Sequence, residues 1–364
     1  MGERHYCRKV VLKMAQKKIA LIGCGGMGSH HLRSYQSIPE VDIVAVCDIV
    51  PGRAQDRVER FAPNAKAYTD YREVLEIPGL DAVDICTPNY LHSIIAVEAL
   101  NKGLHVFCEK PDAVNVEEAL KMKAAAEANG RVLMVMRNNR YAPESQFLKK
   151  FIEDGNMGEI YAGRCGWQRR RGIPGKGGWF TTKEQSGGGP LIDLGVHMID
   201  LAMWLMGNPT PVAVSGCTFC KFADTDVSDS ENSKFGDKVS GGTFDVEDLA
   251  MGFIRFDNGA CLQIEFSWTS NVEKEQNFVE LRGTKAGASW PNLKIFTEEY
   301  GSTVDVIPAV QPRDYDGHGR NLAHFVDVLQ GRAEPAFVPQ QGVNMIGILT
   351  AMYESAQKGC EVRL

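Results

Sequence analysis

The sequence contains no apolar run long enough to cross a membrane and no excess of basic residues. Asp and Glu outnumber Lys and Arg by 46 to 40 among the 364 residues, so the net charge at pH 7 is −6. Nucleic acids and anionic membranes attract basic surfaces, and we therefore expect neither as a partner. The first 13 residues include basic side chains but no apolar segment, so we do not expect a secretory signal there.

Disulfide spacing and a zinc-ligand set are also missing, although the chain has ten cysteines. Cys47, Cys86 and Cys108 fall within predicted buried strands, a distribution typical of a reduced, cytoplasmic protein. Cys217 and Cys220 form a single CxxC pair with no second pair and no histidine nearby. A structural zinc site or a redox pair stays open there, but two cysteines near a strand end are more often inert. We predict no catalytic metal.

The chain length favours two domains, because a single hydrophobic core rarely grows beyond about 300 residues. Short β-branched runs alternate with helical patterns through roughly the first 150 residues, which predicts parallel βαβ units in a doubly wound sheet. We predict an N-terminal extension at 1–16, a first domain at 17–142 and a second at 143–364. Strands of the first domain are predicted at 18–23, 42–47, 82–86, 105–108 and 132–136, with helices at 26–37, 52–61, 70–76, 90–102 and 115–129.

The second domain has a different pattern, in which strands follow one another with few helices between them. This pattern, which starts after a helix predicted at 143–154, indicates an α+β domain. The polar and acidic residues 223–243 are expected to form a surface excursion. Strands are predicted at 160–168, 211–222, 246–256, 259–269, 276–283 and 303–307, with closing helices at 318–331 and 340–358.

A glycine-rich segment between the first strand and the first helix predicts a dinucleotide site. Residues 23–28 have the GxGxxG spacing, and Asp48 ends the next strand 20 residues later. Glycines let the backbone approach a pyrophosphate, whose charge is favoured by the N–H groups of a helix N-terminus. Asp48 would accept hydrogen bonds from the adenosine ribose. The predicted cofactor residues here are Gly23, Gly25, Gly26, Met27, Gly28 and Asp48.

Polar residues follow two further strands, at the sheet edge where the ligands of doubly wound folds collect. Lys110 comes after the strand 105–108 and would point into this crevice, although a surface ion pair with Glu109 is the plainer alternative. Pro111 raises the expectation of a cis Lys110–Pro111 bond. We assign to the predicted cofactor crevice Thr87, Pro88, Asn89, His92, Glu109 and Lys110.

An apolar helix behind three glycines, in Gly187–Leu205, carries three ionisable groups. At 100° per residue, Asp193, His197 and Asp200 fall on one narrow stripe, with Trp204 on the same line. The helix is otherwise apolar and is predicted to be buried, where such groups are costly unless they pair or face a wet pocket. A satisfied core network and a functional site are the two interpretations, and three groups on one stripe favour the site.

The loop between the strand 160–168 and this helix combines aromatic rings with arginines. Such side chains stack on the C–H face of a pyranose ring and hydrogen-bond its hydroxyls. The alternative is that Arg169, Arg170 and Arg171 form surface ion pairs and that the tryptophans pack under the sheet. The arginines could instead bind a uronate or a phosphate. We predict as substrate-binding residues Trp167, Arg169 and Trp179.

Several of these segments resemble one family. Gly23–Gly28, Glu109–Pro111, Gly187–Leu205 and Val246–Ala260 are similar, in order and separation, to motifs of the glucose–fructose oxidoreductase / inositol dehydrogenase / MocA family, over residues 17–358. The resemblance implies a Rossmann domain and a C-terminal domain with a large, mostly antiparallel sheet that often forms the interface of a homo-oligomer. It also implies NAD or NADP as cofactor and sugars or cyclitols as substrates.

The same resemblance implies roles for individual residues. Lys110 matches the lysine of an EKP motif, Asp193 and His197 match a DxxxH pair, and Asp200 matches a position that contacts substrate. Three further substrate candidates follow by family analogy: Asn139, Arg140 and His318.

Oxidation of a secondary alcohol needs a proton acceptor. His197 is the favoured base, because the ordinary pKa of histidine lies near neutral pH. Lys110 would donate to the reacting hydroxyl and Asp193 would orient the imidazole, while Lys110 as the base stays an alternative. No cation directly follows Asp48, which predicts NAD rather than NADP, and Arg53 is the residue that could reverse this preference.

The predicted function is oxidation of a ring secondary hydroxyl of a sugar, glycoside or cyclitol, with C3 of a glucoside as one candidate position. A keto-sugar reductase would differ only in direction. A glycosidase that uses NAD transiently, around an elimination step, is a rival. So is a regulator that senses NAD or sugar without turnover, although the presence of Lys110, Asp193 and His197 together argues against it.

Overall fold

The first sheet is parallel and doubly wound. The computed structural model describes residues 16–227, 236–310 and 315–364. The strands of this sheet are β1 (Lys17–Ile22), β2 (Val41–Cys47), β3 (Lys66–Tyr68), β4 (Ala82–Ile85), β5 (His105–Cys108) and β6 (Leu133–Val135). They pair in the order β3-β2-β1-β4-β5-β6, so the strand order reverses between β1 and β4, which is where such folds bind ligands. The predicted doubly wound sheet is confirmed.

Helices cover both faces of this sheet, as fully buried strands require. They are α1 (Gly26–Tyr35), α2 (Arg53–Phe61), α3 (Tyr71–Leu75), α4 (His92–Asn101) and α5 (Val116–Asn129). Local sequence sets their ends: the Asn115 side chain accepts from Glu118 N at the start of α5, and Gly130 ends that helix in the left-handed region. Strand β3 was not predicted, because three residues at a sheet edge carry too little apolar alternation.

The second sheet has nine strands and is mostly antiparallel. Its strands are β7 (Ile160–Gln168), β8 (Pro211–Phe219), β9 (Leu249–Phe256), β10 (Cys261–Ser267), β11 (Gln276–Gly283), β12 (Gly287–Trp290), β13 (Lys294–Glu299), β14 (Ser302–Val306) and β15 (Val362–Arg363). They pair in the order β14-β13-β12-β11-β7-β10-β9-β8-β15, and only the β7–β10 pairing of the described strands is parallel. The expected architecture is confirmed. Strands β12, β13 and β15 were not predicted.

The other described α-helices follow β6 in the chain. They are α6 (Pro143–Glu153), α7 (Lys183–Ser186), α8 (Val196–Leu205), α9 (Gly317–Leu329) and α10 (Pro339–Lys358). Helix α9 returns to the first sheet, where Leu322 and Phe325 pack with Ile19 and Phe107 in one buried cluster. Helix α9 thus packs on the first sheet although it follows the second sheet in the sequence, and the predicted boundary at residue 142 stays a prediction. Among the described helices, none combines the length and the apolar character that crossing a bilayer requires.

The predicted polar excursion packs against the arginine-rich loop at both of its described ends. Lys176 Nζ donates to Thr225 O at 2.7 Å, and Val239 N donates to Lys176 O at 2.9 Å. Residues 228–235 of the excursion, and the predicted extension apart from Gln16, lie outside the described residues.

Candidate active site

The glycine-rich segment forms a tight turn with one open position. Gly23 has φ +89°, and a Cβ there would lie 2.7 Å from Cys86 C, while a Cβ on Gly28 would lie 2.1 Å from Gly23 O. A Cβ on Gly25 would meet no atom within 4 Å. Gly23 and Gly28 therefore allow the close packing of strand and helix, and Gly25 leaves the N-terminus of α1 open to a phosphate group.

Asp48 is held by backbone donors at the end of β2. Its Oδ2 accepts from Cys24 N at 3.0 Å and its Oδ1 from Val50 N at 2.9 Å. The carboxylate is therefore fixed beside the glycine-rich turn, where a ribose would lie. Arg53 Nη1 lies 3.5 Å from Asp48 Oδ1, so the cation that could favour NADP is already paired with this carboxylate.

The loop after β4 supplies one unused polar atom and two structural contacts. Thr87 Oγ1 is buried with no hydrogen-bond partner, as expected of a group that faces a ligand. His92 bridges two loops, with Nδ1 2.8 Å from Pro111 O and Nε2 2.9 Å from Thr87 O, and burial lowers its pKa. Asn89 Nδ2 donates to Ser186 O. The contacts predicted between the cofactor and His92 or Asn89 stay predictions.

Lys110 and Asp193 form an ion pair at the end of β5. Lys110 Nζ donates to Asp193 Oδ1 at 2.8 Å and to Asp193 O at 3.1 Å. The buried Trp268 donates from Nε1 to Asp193 Oδ2 at 2.9 Å, so both carboxylate oxygens have a partner. Burial alone would raise the pKa of Asp193, but the cations Lys110 and Arg169 hold it well below its usual range. The Lys110–Pro111 bond is cis, as expected.

A π-helical turn at Leu191–Gly195 precedes α8 and carries Asp193. The prediction of one regular α-helical stripe is therefore wrong at its start, because a π-turn changes the angular spacing of the side chains. Glu247 caps this turn: its Oε2 accepts from Gly189 N at 3.0 Å and its Oε1 from Leu191 N at 3.1 Å. Tyr353 donates to the same carboxylate at 2.9 Å.

His197 lies on α8 beside this ion pair, with its ring partly exposed. The Trp167 ring is 6.1 Å away between centroids. Among the described residues, none forms a hydrogen bond with the imidazole. Burial, assisted by the positive charge of Lys110, lowers the pKa of His197 to about 3. The imidazole is therefore neutral near pH 7, with ring nitrogens available to a substrate.

Arg169 is a buried cation at the same place. Its guanidinium lies over the Trp167 ring, 5.1 Å from the centroid. Arg169 Nη1 donates to Gly172 O at 3.3 Å, whereas Nε is buried and has no partner. Burial lowers its pKa, and the charge of Asp193 opposes that effect. A buried donor without an acceptor is costly, so Arg169 is suited to an oxygen atom of a ligand.

Asp200 does not join this group. Its Oδ1 accepts from Arg137 Nε at 2.8 Å, and its Oδ2 accepts from Arg140 Nε at 2.8 Å. Arg137 Nη2 also donates to Asp112 Oδ2 at 2.6 Å. These four side chains form a buried ion-pair network, and both oxygens of Asp200 are engaged in it. The substrate contacts predicted for Asp200 and Arg140 stay predictions, and here the plainer interpretation, a satisfied core network, describes the geometry.

Other predicted substrate residues lie in different surroundings. Trp179 stacks on Phe180, with centroids 3.8 Å apart. His318, near the start of α9, lies against His30 of α1 at 5.0 Å. Asn139 lies in a short 3₁₀-helix, where its Oδ1 accepts from a neighbouring amide at 3.4 Å. None of these described contacts involves Lys110, Asp193 or His197.

Trp268 and Glu247 are site residues that sequence reasoning missed. The sequence predicts a strand at 259–269 and therefore gives Trp268, which follows β10, no role in a site. Glu247 lies in Val246–Ala260, and the resemblance of this segment to the family implies no role for that acid. A carboxylate directly before a buried strand was the available signal, since such a group needs buried donors.

Comparison with known proteins identifies the family. Residues 17–137 match the model of the GFO/IDH/MocA oxidoreductase family with an NAD-binding Rossmann fold. Residues 145–289 match the model of the GFO/IDH/MocA C-terminal domain. The chain belongs to the Gfo/Idh/MocA family. This oxidoreductase binds NAD through its first domain, and the open position at Gly25, the fixed Asp48 and the unpartnered Thr87 hydroxyl fit that cofactor.

Several members of the family are similar along the whole chain. D-glucoside 3-dehydrogenase of Escherichia coli is 33% identical over 359 residues, which cover 98% of this chain and 100% of that protein. The NAD(+)-dependent scyllo-inositol 2-dehydrogenase of Bacillus subtilis is 28% identical over 96% of each chain. The structure of a levoglucosan dehydrogenase in complex with NADH and levoglucosan has a TM-score of 0.80 at 26% identity, covering 96% of this chain and 99% of that one.

Proposed function

We propose that this oxidoreductase oxidises a ring secondary hydroxyl of a sugar, glycoside or cyclitol, with C3 of a glucoside as the first candidate position. The observation that carries the proposal is the convergence of Lys110, Asp193 and His197 beside Trp167 and Arg169. NAD, when bound, supplies the hydride acceptor. The protein side chains then have to bind the sugar, hold its hydroxyl and take its proton.

Lys110 stabilises charge on the reacting oxygen. An ammonium group has three N–H donors, and two of them are used by the carbonyl and carboxylate oxygens of Asp193. The third can donate to the substrate hydroxyl, where negative charge develops as the hydride leaves. Asp193 keeps the ammonium in position and is itself held by Trp268. This differs from the expected role of Asp193 as the partner of the imidazole.

His197 takes the proton on a ring nitrogen. Its low pKa keeps the imidazole neutral before reaction, which is the form that accepts a proton. Lys110 is paired with a carboxylate and is suited to donate rather than to accept. We therefore assign the base to His197. A low pKa also makes His197 a weak base, so donation by Lys110 to the developing alkoxide has to lower the barrier as well.

Trp167 and Arg169 are the proposed sugar-binding side chains. An indole ring stacks on the C–H face of a pyranose, and the unpartnered Arg169 Nε is a buried donor for a hydroxyl or carboxylate oxygen. The names of the relatives support this class, since they act on a D-glucoside and on scyllo-inositol. A uronate remains the anionic member of the class, because Arg169 would also bind its carboxylate.

A substrate panel tests the proposal. Methyl glucosides, levoglucosan, inositols and glucuronides are incubated with NAD, NADH formation is followed by absorbance, and the products are identified by mass spectrometry and NMR. We expect a keto-sugar and one NADH per turnover with at least one pyranoside or cyclitol. Glycoside cleavage without net NADH would support the redox-elimination glycosidase instead. Binding of NADH and sugar with no turnover in either direction would support a regulator.

We also propose that a second copy of the chain covers the open face of the second sheet. Helices α8 and α10 cover one face, while alternate residues of β9 and β11 point to the other. That open face carries Met251, Phe253 and Phe278, which are only partly buried in the single chain. A face with this many large apolar side chains is suited to pairing with an identical face.

A further inference from the structure

A fully buried imidazole connects the nucleotide-binding helix to Lys110. His31 lies on α1, one turn after Gly28, and has no exposed surface. Its Nδ1 is 2.8 Å from Asp84 Oδ2, and its Nε2 is 2.9 Å from Glu109 Oε1. Two carboxylates require two N–H donors, and an imidazole has two only when it is protonated. His31 is therefore an imidazolium between two carboxylates.

The surroundings of His31 support this protonation state. Burial alone would lower its pKa, but the charge and hydrogen bond of Asp84, together with those of Cys86, outweigh burial and raise the pKa well above its usual value. A bound zinc ion would hold two of its ligand atoms about 3.3 Å apart. His31 Nδ1 and Asp84 Oδ2 are 2.8 Å apart, a distance that indicates a shared proton rather than a shared zinc ion. Five titratable groups surround the ring, and they come from every element packed against it. They are Tyr35 of α1, Asp84 of β4, Cys86 after β4, Glu109 after β5 and His318 of α9.

Glu109 links His31 to Lys110 by hydrogen bonds to both residues. Its Oε2 accepts from the backbone N–H of Lys110 at 3.0 Å, while its Oε1 binds His31. Burial alone would raise the pKa of Glu109, but the hydrogen bond and the charge of His31 outweigh it and hold this pKa well below its usual range. Asp84, His31, Glu109, Lys110 and Asp193 thus form one continuous chain of hydrogen bonds.

We propose that His31 is a positioning residue for hydride transfer: as an imidazolium it orients Glu109, which in turn fixes the backbone of Lys110 and places Nζ at the substrate oxygen. This inference rests on the proposed function, because it assumes the role assigned there to Lys110. It also links the helix whose N-terminus faces the cofactor to the residue that faces the sugar. If His31 only stabilised the fold, its loss would lower stability without acting specifically through Lys110.

A double-mutant cycle separates these two roles. His31→Gln is made in the wild-type and Lys110→Met backgrounds, because glutamine cannot donate to both carboxylates from one nitrogen without losing this geometry. Turnover of methyl glucoside with NAD is measured per NADH-binding site, which is counted by fluorescence titration. We expect kcat to fall about 10- to 100-fold in the wild-type background and less than about 2-fold in Lys110→Met. The Kd for NADH should change less than about 3-fold, since His31 does not face the cofactor.

His105→Gln is the matched control. His105 lies at the opposite end of β5, where its Nδ1 accepts from Val132 N at 3.0 Å. We expect this variant to melt at a lower temperature but to keep its kcat per site. An equal fold-loss of kcat from His31→Gln in both backgrounds, or no loss in either, would overturn the inference. Wild-type turnover by Lys110→Met would instead overturn the proposed function itself.

Asp84→Asn provides the same test if His31→Gln does not fold. Removal of this carboxylate lowers the pKa of His31 toward its ordinary value, because Asp84 is the main cause of the upward shift. His31 then loses its proton as the pH rises, and its hold on Glu109 weakens. We expect kcat of Asp84→Asn to fall as the pH rises from 5 to 9, with an ionisation that the wild type lacks and that Lys110→Met/Asp84→Asn also lacks. Superimposable wild-type and Asp84→Asn profiles would contradict the inference.

Discussion

At the scale of single residues, the charge of Lys110 lowers the pKa of two neighbours, which favours the charged form of one and the neutral form of the other. It lowers the pKa of Asp193 by stabilising the carboxylate, and it lowers the pKa of His197 by opposing the imidazolium. Lys110 and Arg169 therefore keep Asp193 ionised despite its burial, whereas burial, assisted by Lys110, keeps His197 neutral. Both states are needed in the proposed reaction before the substrate binds.

This arrangement predicts how Lys110→Met changes the pH profile. The pKa of His197 is about 3, so the imidazole stays neutral from pH 5 to 9 and causes no acid limb in kcat/KM of the wild type. Burial is the larger cause of this low pKa and persists in the variant. Without Lys110, the pKa of His197 rises above about 3 but stays below its ordinary value, because the opposing cation is gone and the charge of Asp193 is uncompensated. We expect kcat to fall about 100-fold or more, and kcat/KM to decrease as the pH falls through the raised pKa.

The measurement is kcat/KM from pH 5 to 9 with methyl glucoside and NAD. Lys123→Met is a suitable control, since Lys123 pairs with Glu127 on the exposed side of α5. The control should reproduce the wild-type profile. A Lys110→Met profile of wild-type shape, whatever its height, would show that Lys110 does not control the proton acceptor.

Asp48 and Arg53 predict the choice between cofactors. The fixed carboxylate of Asp48 repels a 2′-phosphate, and Arg53 is paired with that carboxylate. We expect NADH to bind at least about 10-fold more tightly than NADPH, and Asp48→Ser to reduce this ratio by removing the repulsion and releasing Arg53. Fluorescence titration measures the dissociation constants of NADH and NADPH for the wild type and for Asp48→Ser. Glu59→Gln, on the exposed side of the same helix as Arg53, should leave the ratio unchanged, and tighter NADPH binding by the wild type would refute the assignment.

At the scale of elements, the π-turn at Leu191–Gly195 and its cap determine where Asp193 lies. Glu247 accepts from two backbone N–H groups at the start of the turn and from the hydroxyl of Tyr353. There is no room for a side chain at Gly189, where a Cβ would lie 2.1 Å from Glu247 O. The position of the turn that carries Asp193 thus depends on a segment before β9, far away in the sequence.

Glu247→Ala should therefore reduce both stability and turnover. The substitution leaves three buried donors without an acceptor, and we expect the free energy of unfolding to fall by about 3 kcal/mol and kcat to fall about 10-fold or more. Tyr353→Phe removes only one of these hydrogen bonds and should cost about 1 kcal/mol with most of the turnover kept. Urea unfolding and steady-state kinetics measure both effects. If the two variants lost the same free energy of unfolding and the same fraction of kcat, the hydrogen bonds from Gly189 N and Leu191 N to Glu247 would not be the important contacts.

The same elements show which features of the fold and of the site can be predicted from the sequence. Periodicity and glycine spacing predicted β1, β2, β4, β5, β6 and the turn at Gly23–Gly28, because these features are local. The angular position of Asp193 could not be predicted, because a helical projection assumes 3.6 residues per turn and nothing in the pattern signals a π-turn. The arginine partners of Asp200 could not be predicted for another reason: the sequence cannot tell whether a buried carboxylate faces a ligand or an arginine from another element.

At the scale of the whole molecule, a buried ion-pair network joins the two sheets behind the proposed site. Arg137 follows β6, Asp112 follows β5 and Asp200 lies on α8, so the network connects the first sheet to the helix that carries His197. Arg140 extends it to α10 through Gln341 at 3.0 Å. Removal of one member would leave an uncompensated buried charge, so the network holds the first sheet and helix α8 in one arrangement.

The open face of the second sheet yields the last prediction, which concerns assembly. In a two-fold symmetric pair, a substitution on that face occurs twice in the interface, and two introduced carboxylates also repel each other. We expect the wild type to sediment as a dimer or a larger oligomer at micromolar concentration, and Phe253→Glu to raise the dissociation constant by about 10-fold or more. Leu120→Glu, which places the same charge on exposed α5, should leave assembly unchanged. Analytical ultracentrifugation across a concentration series measures all three proteins. A monomeric wild type, or a Phe253→Glu variant that assembles as tightly as Leu120→Glu, would show that this face does not pair with a second copy.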